Sequence, residues 1–215
     1  LAKKFLIHNN LVWGCSRTKS RIKNVNYFHS RMDLTNKKQI KKWVIKIEKE
    51  TNKKVHIFIS NAAVYKRSLN ALDNSSSIFK TIETNLTSPI FLTNLLSKSM
   101  IQNKFGMIIL FSSAASILYD TGTSAYASSK SGLETFGKIL KKELAIFNIK
   151  VFVFRLIYLQ TSLSKKLSTK QIKDLKNKFK TDNFSSVEKI YNQINRTYKN
   201  KKEIIENIIF DKQND

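Results

Sequence analysis

The stretch Met107-Ile-Ile-Leu-Phe-Ser-Ser113 is an apolar run that ends in two serines, and Tyr126-Ala-Ser-Ser-Lys130 follows it in the chain. A short, continuous apolar run is typical of a buried strand. From residue 126 to residue 147, apolar side chains recur on one stripe at helical spacing, which predicts an amphipathic helix. The two segments together predict a strand and helix that belong to one α/β unit.

The same alternation extends in both directions along the chain. Pro89 lies inside one predicted helix and is expected to break or restart it. Strands separated by helical crossovers pair in parallel, so we predict an α/β fold with three layers, a parallel sheet flanked by helices, in a single domain over 1–215. The predicted strands are 11–16, 25–29, 55–60, 107–111, 151–156 and 208–210, and the predicted helices are 1–6, 36–50, 78–103, 126–147, 164–180 and 186–198.

Composition sets limits on the class of protein. The 215 residues are 41% hydrophobic and 25% charged, which excludes a disordered tail and allows a sizeable core. Cys15 is the only cysteine, so a disulfide-stapled fold is excluded and a reducing compartment, the cytoplasm, is expected. We expect no membrane span and no signal peptide, because no apolar run approaches the roughly 18–20 residues that a span needs.

The basic charge is a weak indication of a nucleic-acid partner. The formal net charge is +24, but it comes from 33 lysines and only six arginines. Base readout and bidentate phosphate binding favour arginine, and the lysines are spread along the chain. A solvated basic surface is therefore the preferred interpretation, no nucleic-acid partner is expected, and electrostatic attraction of acidic partners stays open.

The strongest chemical signal is the pair Tyr126 and Lys130. Four-residue spacing places both side chains on one face of a helix, where an ammonium favours the phenolate. We therefore predict a Tyr126 pKa lowered from about 10 towards neutrality, as suits a proton donor to a carbonyl oxygen, with a nearby serine as second donor. A plain surface pair on a helix is the alternative interpretation of these two residues.

The chain resembles the short-chain dehydrogenase/reductase family over residues 1 to about 163. Ser113 and Tyr126 are 13 positions apart, which is the spacing that is usual in the family. The order Ser, then Tyr-xxx-Lys, makes the resemblance specific. The matching segments are Asp33-Leu-Thr, Asn61-Ala-Ala, Asn85, Ser112-Ser113, Tyr126-xxx-Lys130 and Thr161.

The resemblance implies roles for the catalytic positions. Tyr126 would be the acid/base, and Ser113 would orient the substrate oxygen, with Ser112 as the adjacent alternative. Lys130 would lower the Tyr126 pKa and hold the nicotinamide ribose. Asn85 would anchor a water that relays protons from Lys130 to solvent, whereas the plainer alternative is a helix asparagine bonded to local backbone.

It also implies the nucleotide site. Asp33 would meet the adenine amino group, although it could instead be a turn residue ahead of a helix. Arg17 stands where a basic residue favours a ribose 2′-phosphate, so we expect NADP(H) to be preferred over NAD(H). No metal site is expected. The remaining implied cofactor contacts are Ser16, Leu34, Asn61, Ala62, Ala63, Tyr126, Lys130, Leu159 and Thr161.

Three departures from the family pattern qualify these expectations. Gly14 is the only glycine before Gly106, so the glycine-rich turn that binds the pyrophosphate is missing. Ala63 stands in the place of a glycine, and Leu156-Ile157 replaces the usual Pro-Gly. We expect the family's first, central strand to lie upstream of residue 1, in an extension of roughly 15–25 residues, so that strands 11–16 and 25–29 have no neighbour joining them to strand 55–60.

These observations lead to one functional hypothesis and its alternatives. The chain is expected to be an NADP(H)-dependent oxidoreductase that moves a hydride between nicotinamide and a carbonyl or secondary alcohol, with residues 160–185 as the substrate lid. The resemblance implies a homodimer or homotetramer through the helices 78–103 and 126–147. The alternative is a binding or regulatory protein of the same fold with impaired catalysis, supported by the changes at Ala63 and Leu156-Ile157.

Overall fold

The computed structural model describes residues 1–156, 168, 172–174, 177, 187–200 and 207–208. Within them the chain alternates between helices and strands, as the sequence predicts. The strands are β1 (Val12–Ser16), β2 (Tyr27–Arg31), β3 (Ile57–Ser60), β4 (Gly106–Ser113), β5 (Ile149–Leu156) and β6 (Asn207–Ile208). The helices are α1 (Ala2–Ile7), α2 (Lys37–Glu50), α3 (Ser75–Ile82), α4 (Ser88–Asn103), α5 (Ala115–Leu118), α6 (Ser124–Ala145) and α7 (Val187–Asn200).

Among the described residues, all strand pairs are parallel and form two sheets. One sheet holds β1 and β2, and the other has the order β3-β4-β5-β6. The described residues contain no ladder between β1 and β3, and the joining strand upstream of residue 1 stays a prediction.

The core lies on both faces of β4. Ile108 and Leu110 face helices α2, α4 and α6, whereas Met107, Ile109 and Phe111 face α1 and α7. Every residue of β4 except Ser113 is buried. Because alternate residues of a strand point to opposite faces, a strand covered by helices on both sides is apolar throughout. The three-layer α/β prediction is therefore confirmed.

The long helix predicted over 78–103 is divided. Helix α3 begins three residues earlier than predicted, and a π-helical turn at Glu83–Thr87 separates it from α4. Pro89 lies in the first turn of α4, where its missing N–H is not required. The break expected near Pro89 is thus real, and it takes the form of a π turn immediately before the proline. The predicted helix 164–180 and lid 160–185 lie largely outside the described residues.

Helix α6 approaches the sheet most closely at Gly137. A Cβ atom built there would lie 2.3 Å from Val153 Cγ2 on β5 and 3.0 Å from Leu110 Cδ1 on β4. Both neighbours belong to the packed core, so they have little room to move. Gly137 therefore sets the distance between the sheet and the helix that carries Tyr126 and Lys130.

We expect Gly137→Ala to lower the free energy of unfolding by about 1–3 kcal/mol, the usual cost of overpacking a core. Gly132→Ala on the same helix is the control, because its Cβ would meet only the flexible end of Leu86, at 3.0 Å. Urea unfolding of both variants measures the difference. Equal stability of the two variants would contradict the close approach at Gly137.

Candidate active site

Polar side chains gather where the parallel strands end. Ser16 ends β1, Ser60 ends β3 and Ser113 ends β4. In an open parallel sheet, ligands bind outside these carboxyl ends. Tyr126 lies near the beginning of α6, in the crossover that leaves β4. The geometry therefore brings a tyrosine and a serine from separate elements to one edge.

Tyr126 is enclosed, with 8% of its surface exposed. Its hydroxyl lies near enough to the Ser113 side chain for that serine to lower the Tyr126 pKa. The ring of Tyr65 meets the Tyr126 ring edge to face, with centroids 4.9 Å apart. Burial raises the pKa of Tyr126 above its usual value of 10, and the Ser113 hydrogen bond offsets only part of this effect.

Lys130 lies one turn further along α6 and is 4% exposed. Its Nζ donates a hydrogen bond of 2.8 Å to the Phe111 carbonyl and lies 5.9 Å from the centroid of the Tyr126 ring. Burial lowers the pKa of Lys130 to about 8, because a desolvated ammonium is disfavoured. The tyrosine and lysine thus form a buried pair rather than a surface pair.

The predicted lowering of the Tyr126 pKa is wrong in this structure. Four-residue spacing brings in the ammonium of Lys130 but contains no information on burial. In the structure, desolvation is the largest influence on the phenol, and Lys130 is bonded to the Phe111 carbonyl rather than to Tyr126. The pKa of Tyr126 is consequently raised.

The two serines that end β4 point to different partners. Ser113 is half-buried and meets Tyr126, whereas Ser112 is 3% exposed and donates 2.7 Å to Glu134 Oε1. Ser113 also accepts a hydrogen bond of 3.2 Å from the Ala115 amide. The geometry therefore places Ser113, and not Ser112, beside the tyrosine.

Asn85 lies in the π turn and is fully buried. Its side chain accepts from the Val64 amide at 2.8 Å and donates to the Val64 carbonyl at 2.9 Å and to Ser129 Oγ at 3.2 Å. Val64 is distant in sequence, so the alternative of purely local backbone bonding does not describe this residue. Asn85 ties the segment after β3 to helix α6, close to Lys130.

Ser16 and Arg17 are exposed at the end of β1. Arg31, at the end of β2, donates from Nε to the Arg17 carbonyl at 3.1 Å and so holds that backbone. The Arg17 side chain is near enough to Asp33 to contribute to the lowered pKa of that carboxyl, whose main cause is a hydrogen bond from the Thr35 amide. Basic and acidic side chains are thus present together at the end of the β1-β2 sheet.

Asp33 acts as a turn residue ahead of α2. Its Oδ1 accepts from the amide and the hydroxyl of Thr35, both at 3.0 Å, and its carbonyl accepts from the amide of Asn36. Leu34 is half-buried and packs against the core. The turn alternative describes what Asp33 does here, and the adenine contact stays a prediction.

The segment Asn61-Ala62-Ala63 follows β3 directly. Asn61 and Ala62 are exposed, and Ala63 is half-buried. Ala63 is not among the residues with a positive φ, so an alanine is accommodated without strain at this position. The predicted contacts Leu159 and Thr161 lie outside the described residues.

The hydrogen-bonding groups at the strand ends are of the kinds that a nicotinamide dinucleotide requires. A guanidinium and a carboxylate stand at the end of β1-β2, and a buried ammonium stands near the tyrosine and serine. Since an ammonium buried this deeply is costly unless an acceptor is near, the bond from Lys130 to a carbonyl marks a place suited to polar ligand oxygens. The glycine-rich turn of the expected site is not among residues 1–215, and Ala63 and Leu156-Ile157 differ from the family pattern.

Comparison with known proteins agrees with this geometry. The family model described as short chain dehydrogenase matches residues 4–172, more than half of the chain. The chain belongs to the short-chain dehydrogenase family. It is therefore an oxidoreductase of a family that acts on CH–OH and C=O groups with NAD(P).

Curated relatives of this short-chain dehydrogenase include bacterial 3-oxoacyl-[acyl-carrier-protein] reductases. The protein of Buchnera aphidicola subsp. Schizaphis graminum is 28% identical over 85% of this chain and 77% of its own length. That of Buchnera aphidicola subsp. Acyrthosiphon pisum is 30% identical over 80% of this chain and 72% of its own length.

Solved structures share the fold. A 4-hydroxyisoleucine dehydrogenase complexed with NADH and succinate superposes with a TM-score of 0.85 at 20% identity, covering 98% of this chain and 91% of its own. A gluconate 5-dehydrogenase from Burkholderia cenocepacia in complex with NADP and tartrate gives 0.63 at 19% identity, covering 68% and 58%. The two structures carry different cofactors, so the fold alone does not select between them.

Three features of the short-chain dehydrogenase site escaped sequence reasoning: the π turn, Tyr65 and Arg31. The π turn has no signal beyond Pro89 after it. Arg31 could have been found as a second basic residue just ahead of Asp33. In the described part of the chain, no helix is long and apolar enough to cross a membrane, and no three His, Cys, Asp or Glu residues group as metal ligands.

Proposed function

We propose that this short-chain dehydrogenase is an NADP(H)-dependent carbonyl reductase in which Tyr126 exchanges the proton with the substrate oxygen. The closeness of the Ser113 side chain to Tyr126, with buried Lys130 one turn further on, carries the proposal. Two hydroxyls that meet at a strand end can both contact one carbonyl oxygen, one as acid and one as orienting donor.

The raised pKa of Tyr126 suits a proton donor. A phenol whose pKa lies above 10 keeps its proton at neutral pH and can give it to an alkoxide oxygen. When bound, the nicotinamide supplies the hydride for the carbonyl carbon. The burial of Tyr126 keeps bulk water away from the phenol.

In this proposal Lys130 and Asn85 assist the proton transfer by Tyr126. The ammonium of Lys130 stabilises the phenolate that forms when Tyr126 gives up its proton, and it holds the nicotinamide ribose. Asn85 anchors a water on the path that returns a proton from solvent through Lys130. Its buried position next to Ser129, the neighbour of Lys130 in sequence, supports this placement.

The nucleotide would lie along the carboxyl ends of the strands. Arg17 and Ser16 would meet the adenosine phosphate, Asp33 the adenine amino group, and Lys130 the ribose near the tyrosine. The other contacts carried by the family resemblance are Leu34, Asn61, Ala62, Ala63, Leu159 and Thr161. Exposure of Ser16, Arg17 and Asn61 supports their availability to a ligand.

The substrate would be a small carbonyl compound, and the protein would be a homodimer or homotetramer through α4 and α6. The 3-oxoacyl reductases among the relatives make 3-oxoacyl thioesters the first compounds to test.

A substrate panel with NADPH and with NADH tests the proposal. The panel contains a 3-oxoacyl thioester, a β-keto ester and a sugar ketone, and absorbance of the reduced nicotinamide is followed. Turnover of at least one carbonyl compound that is lost in Tyr126→Phe is expected. Tight nucleotide binding without turnover of any compound would instead favour the binding or regulatory alternative.

We expect Arg17→Asp to erase or invert a preference for NADPH. A charge-assisted hydrogen bond to the 2′-phosphate contributes about 1.5–3 kcal/mol, roughly ten- to a hundredfold in affinity. The ratio of kcat/KM for NADPH and NADH measures it, with Lys19→Asp, also exposed in the same loop, as the control. Equal values of kcat/KM with NADPH and with NADH in the unchanged protein would refute the role of Arg17.

We expect kcat/KM for reduction to decline above pH 8. The pKa of Lys130 is about 8, so its ammonium is present below this pH and is lost as the pH rises through it. Tyr126 keeps its proton beyond that point, because its pKa is raised. A pH-rate profile checks the midpoint, and a profile that stays flat to pH 10 would contradict the ammonium's role.

A further inference from the structure

A buried carboxylate stands beside the proton-transfer residues without belonging to them. Glu134 is on α6, one turn beyond Lys130 and two turns beyond Tyr126, so all three share one helix face. It is only 7% exposed. A buried charge is retained at a cost unless it is paired and hydrogen-bonded, so its partners indicate its purpose.

Those partners come from three elements. Oε1 of Glu134 accepts from Ser112 Oγ at 2.7 Å, Ser116 Oγ at 2.7 Å and Arg155 Nε at 2.8 Å. Oε2 accepts a second bond from the Arg155 guanidinium, at 2.5 Å. One carboxylate therefore gathers the end of β4, the short helix α5 and the end of β5.

The charges of Glu134 and Arg155 balance each other inside the protein. Burial would raise the pKa of Glu134, but hydrogen bonds from Arg155, Ser116 and Ser112 outweigh it and hold the pKa below its usual value. Glu134 is consequently an anion at neutral pH, and the guanidinium that it binds in two places cancels its charge.

Glu134 and its hydrogen-bond partners are connected to the hydroxyls of Ser113 and Tyr126 through the backbone of Ser113. Ser112 precedes Ser113 in β4, and its Oγ also lies 3.2 Å from the Lys130 carbonyl. Ser116 Oγ lies 2.8 Å from the Ser113 carbonyl oxygen. Both neighbours of Glu134 thus fix the backbone on which the Ser113 hydroxyl is carried.

The end of β5 is held by two anchors. Arg155 supplies one through Glu134, and the Leu156 carbonyl accepts from the Ala114 amide at 2.8 Å. The ends of β4 and β5 are therefore fixed to each other and to α6.

We propose that the pair Glu134 and Arg155 is a positioning device that holds the Ser113 hydroxyl against Tyr126. The catalytic effect of this positioning rests on the proposed function. The geometric part, that Ser113 leaves Tyr126 when the pair is removed, holds for the protein without any substrate.

The test replaces both members at once, Glu134→Gln with Arg155→Met, so that the net charge near Tyr126 is unchanged. Glu143→Gln, exposed on the same helix, is the matched control. Ser112→Ala is a milder variant that removes one bond to Glu134 and keeps the pair. Ser113→Ala is the reference for complete loss of the hydroxyl at Tyr126.

The first measurement is ¹⁹F NMR titration of protein labelled with 3-fluorotyrosine, a more acidic phenol, with the Tyr126 signal assigned by its loss in Tyr126→Phe. The Ser113 bond lowers the phenol pKa, so Ser113→Ala raises it. We expect the double variant, Glu134→Gln with Arg155→Met (the paired variant), to raise the Tyr126 pKa by the same amount. Ser112→Ala should raise this pKa by less, and Glu143→Gln should leave it unchanged. An unchanged Tyr126 pKa in both Ser112→Ala and the paired variant would overturn the proposal.

The second measurement separates kcat from KM. With ethyl acetoacetate and NADPH, we expect the paired variant to lose about 10- to 100-fold in kcat, as expected for a misplaced group, with KM for NADPH nearly unchanged. A purely structural role would lower thermal stability without this split and would overturn the proposal. If the unchanged protein reduces no carbonyl compound, the proposed function fails while the NMR titration still decides the positioning role.

Discussion

Replacing Tyr126 by phenylalanine is expected to lower kcat for carbonyl reduction by about 10²- to 10⁴-fold, the usual contribution of a general acid. The change removes one hydroxyl and leaves the ring that packs against Tyr65. Because the phenol is buried, no nearby water can easily replace its proton. NADPH binding, measured by fluorescence titration, should stay nearly unaltered.

Tyr119→Phe is the matched control for this experiment. Tyr119 is 83% exposed and precedes α6, so loss of its hydroxyl should leave kcat unchanged. Retention of more than about a tenth of kcat in Tyr126→Phe would show that another group supplies the proton.

Lys130→Ala is expected to damage both catalysis and nucleotide binding. Loss of a preorganised donor costs about 10²- to 10³-fold in kcat, since the phenolate then forms without the adjacent charge. Loss of a charged hydrogen bond to the ribose should weaken NADPH affinity roughly ten- to a hundredfold. Stopped-flow turnover and fluorescence titration measure the two losses separately.

Lys138→Ala provides the comparison, because Lys138 is exposed two turns further along α6. Its replacement removes the same charge without touching the buried pair. A Lys130→Ala protein that binds NADPH normally would exclude the ribose contact and leave only the effect on Tyr126. Normal kcat in that variant would exclude the effect on Tyr126 as well.

The sequence predicted the order of strands and helices well, because burial on both sheet faces leaves a clear apolar pattern. β4 is the clearest case, since every residue of it but Ser113 is buried. The strand ends differ from prediction by up to two residues, both at the half-buried β2 and β3 and at the buried β4 and β5, because an apolar pattern does not define where pairing begins and ends. The π turn at Glu83–Thr87 was not predicted, because a change from α-helical to π-helical hydrogen bonding leaves no periodic pattern in the sequence.

The sequence predicted the residues proposed to transfer the proton, but it did not predict their pKa values. The spacing of Ser113, Tyr126 and Lys130 identified the residues that the structure brings together. The ionisation of Tyr126 depends on how deeply α6 sits against the sheet, and a local spacing rule contains no such information. The same limit hid Glu134, whose partners are separated from it by 18 to 22 positions in sequence.

The division of the strands into two sheets has a consequence for local opening of the fold. β4 has ladders to both neighbours and lies in the core, whereas β1 is half-buried and, within the described residues, pairs only with β2. Segments with fewer buried contacts open at lower free energy and exchange their amide protons sooner. In residues 1–215 taken alone, Ser113 is therefore anchored in a segment that opens at high free energy, while Arg17 follows one that opens at lower free energy. Mild denaturant should thus loosen nucleotide discrimination at Arg17 while the proton-transfer end of the site is still intact.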